Sequence, residues 1–147
     1  MIAIIQRCTK ANVKINNKIV SEIASGMVVL LGISKGDEKN DVQHVANKII
    51  ALRIFPDQNN KMNLSIKDIN GSILVVSQFT LCANTKKGNR PSFSNSAPPL
   101  IGRDLYNNFI LHLKSFGVPV STGKFGAMMD VYLINQGPAT FIIDSKT

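Results

Sequence analysis

The chain reads as a single α/β domain, a strongly curved, barrel-like mixed β-sheet covered by two helices. Three observations carry that reading. Two runs, Met27–Ile33 and Ile73–Val76, are apolar at successive positions, as in strands covered on both faces. Two other segments repeat apolar residues at helical spacing. The 147 residues contain no internal repeat, low-complexity tract or linker, so residues 1–147 form one unit able to bury a single core.

Each element follows in order. Ile2 to Ile15 alternates imperfectly and ends at Asn16-Asn17, a pair that tolerates positive φ and suits a tight hairpin. Lys18-Ile19-Val20 returns as the second strand, and Met27–Ile33 is the third. Asp37 is placed to cap a helix in which Val42, Val45, Ile49 and Leu52 recur on one face. Ser72 to Phe79 is another buried strand. Ala83 to Pro99 turns to Asn, Lys, Gly, Ser and Pro and reads as a long exposed loop. Leu105, Phe109, Leu113 and Phe116 mark a second helix, ended by Gly117 and Pro119. Met128 to Ile143 reads as two strands joined at a Gly-Pro turn.

The formal charge is +8, from 17 basic and 9 acidic residues. Such an excess favours a polyanionic partner, because each neutralised phosphate releases counterions. No window approaches the ~18 consecutive apolar residues of a membrane span. The N-terminus runs directly into a strand, without the basic and small-residue features of an export signal. Cys8 and Cys82 are therefore read as reduced thiols of a cytoplasmic protein.

Conventional hydrolytic constellations are absent from the pattern. A zinc site needs three or four His, Cys or carboxylate ligands. The two histidines have no such neighbour at i+3 or i+4, and the cysteines stand 74 positions apart, so neither a metal nor another cofactor is expected. His44 falls opposite the Val42-Val45-Ile49 stripe and reads as a solvated residue, and His112 as a boundary residue of the second helix. Neither is a natural base for a serine or threonine nucleophile.

Two short segments stand out instead. Ser77-Gln78-Phe79-Thr80-Leu81 closes the apolar run Ile73–Val76 with hydroxyl and amide side chains held at a rigid strand end. Asn135-Gln136-Gly137-Pro138-Ala139-Thr140 sets a Gly-Pro step between strand-like runs, where the backbone itself can approach a ligand. This pair, about 55 residues apart, resembles the D-aminoacyl-tRNA deacylases. The likeness extends to Met1–Arg7, Arg53-Ile54-Phe55 with Lys61–Leu64, Arg90–Ser94 and Thr122–Met129, and spans the chain to about Ile143.

The resemblance implies the fold of that family and a catalytic strand end formed by Ser77, Gln78, Phe79 and Thr80. An aminoacyl ester is already activated, so main-chain N–H groups placed at the developing oxyanion can drive its cleavage, each worth roughly 10²–10³ in rate. The vicinal ribose hydroxyl of the tRNA is implied to assist. Thr80 lacks a basic partner, which favours a positioning role over nucleophilic attack. The resemblance further implies a homodimer in which a cis Gly137-Pro138 enters the partner's site. There its carbonyls would accept hydrogen bonds from the substrate α-ammonium and crowd the place of an L side chain. Glycine escapes such exclusion, so glycyl-tRNA mischarged on tRNA-Ala is an implied second substrate.

Other matching positions keep two readings. Arg7 either holds the Gly-Pro carbonyls or is a surface or interface charge. Phe125 either stacks on the terminal adenine or is a core aromatic. Lys86, Lys87 and Arg90 either contact acceptor-stem phosphates or are solvated charges. The expected function is hydrolysis of the ester bond of D-aminoacyl-tRNA, with the aminoacyl-tRNA 3′ end as substrate. The alternatives are a related editing domain that removes a wrong L-amino acid, and a non-catalytic RNA-binding protein.

Overall fold

The computed structural model describes residues 1–147. Strand β1 (Ile2–Ile15) organises the sheet by carrying neighbours along both edges. On one edge it pairs antiparallel with β2 (Lys18–Ile23) through residues 11–15 and with β3 (Gly26–Gly32) through residues 2–8. On the other it pairs antiparallel with β8 (Asp130–Asp144). β3 continues in parallel to β6 (Ser72–Ser77), and β6 in parallel to β7 (Val120–Thr122). The handover from β3 to β2 halfway along β1 bends this mixed, six-stranded sheet into the expected barrel-like curve. Asn16 and Asn17 make the β1–β2 turn with φ of 49° and 63°, the positive values their short side chains tolerate.

Alternation distributes the apolar runs over two cores. Met27, Val29 and Leu31 with Ile73 and Val75 face helices α1 (Lys39–Ala51) and α2 (Pro99–Ser115). Val42, Val45 and Ile49 from α1 and Leu105, Phe109 and Leu113 from α2 close that core. Val28, Leu74 and Val76 turn to the opposite face and meet Cys8, Ala11, Val13 and Ile23 inside the curl of the sheet. Cover on both faces is why these strands are apolar without interruption. Burial pushes the Cys8 thiol up to about 11. No helix is long and apolar enough to cross a membrane.

The structure corrects several expectations. Glu38, not Asp37, is the N-cap of α1, and Asp41 completes a capping box by accepting the Glu38 N–H at 2.8 Å. Asp37 is engaged elsewhere: its carboxylate accepts from the Met1 ammonium and from the Ser34 N–H, both at 2.7 Å. Residues 128–143 do not form two strands joined by a turn. β8 is one strand of 15 residues, antiparallel to β1 on both sides of a bulge. Strand β6 stops at Ser77, and a short 3₁₀ turn, Phe79–Cys82, follows. β7 and a small hairpin, β4 (Phe55–Pro56) with β5 (Met62–Leu64), had no sequence signal, because two or three residues cannot display a period.

Candidate active site

Where β6 ends, the chain must leave the sheet without stranding its polar groups. The Gln78 N–H bonds back to Leu31 O at 2.8 Å, and the 3₁₀ turn then closes through Leu81 N–H to Gln78 O at 3.2 Å and Ala83 N–H to Thr80 O at 3.1 Å. The first N–H groups of such a turn have no partner inside it. Those of Phe79 and Thr80 donate to no other group of the protein. Gly32 allows this arrangement: a Cβ there would stand 2.9 Å from Leu81 Cβ, closer than real Cβ contacts come, and a tight 3.0 Å from Gln78 O. The turn is held from outside as well. Ser96 Oγ donates to Phe79 O at 3.2 Å, and the Phe79 and Phe93 rings meet edge to face with centroids 5.0 Å apart.

The turn borders a cavity of about 420 Å³, mostly apolar, into which Ser77, Gln78, Phe79 and Thr80 converge. Leu31 and Ile33 form one wall, Phe125 and Gly126–Met129 another. Phe125 leans on Tyr106 with centroids 5.6 Å apart and packs close to Gly102, where a Cβ would approach its ring to 3.4 Å. It packs on the core and also lines the cavity. No acid, base or thiol lines this cavity. Gln78 Nε2 donates to Thr80 Oγ1 at 2.5 Å, so the Thr80 hydroxyl meets an amide and not a base. The buried Tyr106 hydroxyl donates to Val75 O at 2.9 Å, and burial raises its pKa. What remains for chemistry is a mostly apolar pocket bordered by two residues, Phe79 and Thr80, whose main-chain donors are unpaired.

Gly137 and Pro138 are not part of this cavity. Between Gln6 and Cys8, one β1 residue faces four of β8, and Gln136–Ala139 bulge out of the ladder. The Gly137-Pro138 bond is cis, both residues are exposed, and nothing lies within 4 Å of the place of a Gly137 Cβ. Arg7 is the residue opposite the bulge. It is 6% exposed, and its guanidinium donates to Ile54 O at 2.6 Å, Gln136 O at 3.3 Å and Gly137 O at 3.5 Å. Its guanidinium thus reaches the carbonyls of Gln136 and Gly137 at the base of the bulge. Asn135 braces the bulge as well, donating to Arg7 O at 3.1 Å and Ala139 O at 3.3 Å.

Comparison with known proteins identifies the family. The family model for D-Tyr-tRNA(Tyr) deacylase matches residues 4–144. The chain is 51% identical to the D-aminoacyl-tRNA deacylase of Thermodesulfovibrio yellowstonii over 146 residues, covering 99% of this chain and 100% of the other. It belongs to the D-aminoacyl-tRNA deacylase family. Within the family it is also 53% identical to the deacylase of Flavobacterium psychrophilum over 147 residues, with 99% and 98% covered. Among solved structures, it superposes on a c-Myc DNA unwinding element binding protein with a TM-score of 0.92 at 38% identity, covering 98% of each chain. It shares the fold of a probable eukaryotic D-amino acid tRNA deacylase, at a TM-score of 0.79 and 18% identity over 97% and 98% of the chains.

Other sequence candidates of this deacylase-family chain fall outside the cavity. His44 is exposed, and His112 pairs its Nε2 with Asn47 Oδ1 at 2.9 Å and stacks edge to face on Phe116. Lys86, Lys87 and Arg90 are exposed on the loop that ends in Phe93, and none lines the cavity. Asn135 and the Gly126–Met129 wall had no assigned role, although both lie within motifs that carried the family resemblance. Their side chains are small, amide or thioether, types that carry no chemical signature outside their packing.

Proposed function

We propose that this protein is a homodimeric, cytoplasmic hydrolase that cleaves the ester between a D-amino acid and the 3′ end of tRNA, releasing both. The observation that carries the reading is the pairing of a base-free pocket, rimmed by the unpaired Phe79 and Thr80 N–H groups, with an exposed Gly137-Pro138 bulge outside it. The ester carbonyl oxygen lies at those donors, which stabilise the oxyanion as water adds to the carbonyl carbon. The intermediate then expels the ribose 3′-oxygen, which takes up a proton while the carboxylic acid is released. Ser77, Gln78 and Thr80 position the ester and the water; none forms a covalent intermediate.

Chirality is read by the other half of the site. The Gly137-Pro138 bulge enters the cavity of the partner subunit, where its carbonyls receive the α-ammonium and close the volume an L side chain would need. Glycyl-tRNA mischarged on tRNA-Ala passes the same filter.

Incubation with D-Tyr-tRNA, L-Tyr-tRNA and L-Ser-tRNA, with free tRNA scored, tests the proposal. Release from D-Tyr-tRNA alone is expected. Selective release from L-Ser-tRNA would instead identify an L-editing module, and release from none would leave a nucleic-acid-binding protein.

A further inference from the structure

A second groove, of about 620 Å³, runs along one face of α2 and is closed on its far side by Thr122–Phe125. Arg103, Lys114 and Lys124 line it, and no carboxylate does. All three are exposed, and none belongs to the two ion pairs of the fold, Met1–Asp37 and Asp41–Lys146. Arg103 and Lys114 lie eleven positions apart on α2, about 16 Å along the axis and several times the ~3.4 Å per-nucleotide rise of a strand. Lys124 faces them from the segment after β7. Cations gathered without counter-charge repel one another, and an anion relieves that repulsion.

The position of the groove identifies the anion. Phe125 lines both this groove and the catalytic cavity, so the two sites are neighbours across one ring. The Arg103 guanidinium lies over that ring, 5.6 Å from its centroid. A polyanion whose end is in the cavity therefore meets a row of cations where its chain leaves. The groove also offers apolar surface: Leu111 is 66% exposed beside Ile110. Alternating charge and apolar or aromatic surface is what single-stranded nucleic acid binds, phosphates on cations and bases on rings.

We propose that the Arg103-Lys114-Lys124 groove binds the backbone phosphates of the single-stranded 3′ end of tRNA, immediately upstream of the aminoacylated nucleotide. The inference rests on the deacylase reading above, and it places the main phosphate contacts on α2 rather than on the Lys86-Lys87-Arg90 loop.

The test uses the full-length protein with Arg103→Gln, Lys114→Gln and Lys124→Gln combined, and two substrates: D-Tyr-tRNA and 3′-O-D-tyrosyl adenosine, which has no phosphate. The triple variant should lose roughly tenfold or more in kcat/KM on D-Tyr-tRNA, through KM, with a salt slope flatter by about 2, at ~0.7 per cation on a single strand. It should cleave the adenosine ester as the parent does. Equal losses on both substrates would assign the groove to the integrity of the cavity and overturn the proposal, as would an unchanged salt slope. Binding of uncharged tRNA, followed by fluorescence anisotropy, separates this result from the chemistry. If the parent cleaves neither ester, the deacylase reading fails, while weaker tRNA binding by the triple variant still supports the groove and equal binding overturns it.

Discussion

Arg7 and Gly137 are 130 positions apart, yet the guanidinium of the first donates to the carbonyl of the second at 3.5 Å, with a shorter contact, 3.3 Å, to the neighbouring Gln136 carbonyl. A nearly buried cation thus supports an exposed bulge from beneath, and its third bond, to Ile54 O at 2.6 Å, fixes the guanidinium to the hairpin region. Arginine suits this place because its planar fork serves several acceptors in a fixed geometry, which a lysine ammonium cannot reproduce.

Arg7→Lys should therefore keep the fold while lowering kcat/KM on D-aminoacyl-tRNA by about tenfold or more. Arg7→Leu should add a stability loss of roughly 1–3 kcal/mol, because the buried Ile54 carbonyl loses its donor. Deacylation assays together with urea denaturation check both parts. A lysine variant of parental activity would show that the orientation of the bulge does not depend on the guanidinium.

Thr80 faces an amide and no base. Thr80→Ala should retain activity within about tenfold, far from the loss of several orders of magnitude that follows deletion of a nucleophile. Single-turnover rates on D-Tyr-tRNA decide between the two. A collapse of the rate with tRNA binding intact would mean that Thr80 is acylated.

Gly32 has the opposite character, since it touches no substrate and yet shapes the turn. A Cβ at this position would press on Leu81 Cβ and Gln78 O, at 2.9 and 3.0 Å. Gly32→Ala should cost about 1–3 kcal/mol of stability, as overpacking usually does. By displacing the Phe79 and Thr80 N–H groups it should also reduce kcat more than Thr80→Ala does. Thermal melts and kcat measured on the same preparations provide the comparison.

Complementation tests the assignment of the two half-sites to different subunits. A chain altered at both Gly137 and Pro138, mixed with one altered at Ser77, Gln78 and Phe79, should regain one working site per heterodimer. Activity should then rise well above either parent after subunit exchange, verified by mass spectrometry. Absence of recovery would assign the bulge to its own subunit.

The termini offer a pH test independent of activity. Burial opposes the charge of Asp41, but hydrogen bonds from Ser145, Lys146 and the Glu38 backbone overcome that cost and hold its carboxyl down at about 2, below the ordinary 3.8. A depressed pKa gives stability that is complete above the unfolded value and is lost as pH falls toward the folded one. The stability difference between the parent and Asp41→Asn should accordingly be constant above about pH 5 and shrink between about pH 4 and pH 2. Urea titrations across that range measure it, and a difference that stays constant down to pH 2 would contradict the assignment.

Much of this architecture follows from local pattern. Met27–Ile33 and Ile73–Val76 announce strands covered on both faces, Asn16-Asn17 announces its hairpin, and the two apolar stripes announce the helices, because burial periodicity is written along contiguous residues. Ser77–Thr80 is legible as a site for the same reason: polar residues abruptly close an apolar strand. The bulge is only half legible. Gly137-Pro138 looks like a turn between two strands, and only the ladder to β1, which resumes in the same direction beyond it, makes β8 a single strand.

Other features were settled by tertiary structure alone. The carboxylate of Asp37 looks like a helix cap until Met1 is seen to engage it, and Glu38 then takes the cap. The neighbours of Arg7 and Phe125 come from far along the chain, so their contacts were not legible from the sequence. The groove of Arg103, Lys114 and Lys124 exists only because α2 packs beside the segment after β7. Sequence by itself determined the long apolar strands and the two amphipathic helices. Tertiary structure decided which distant groups meet, because a hydrogen bond or a charged groove depends on separation in space, and chain folding sets that separation independently of position in the sequence.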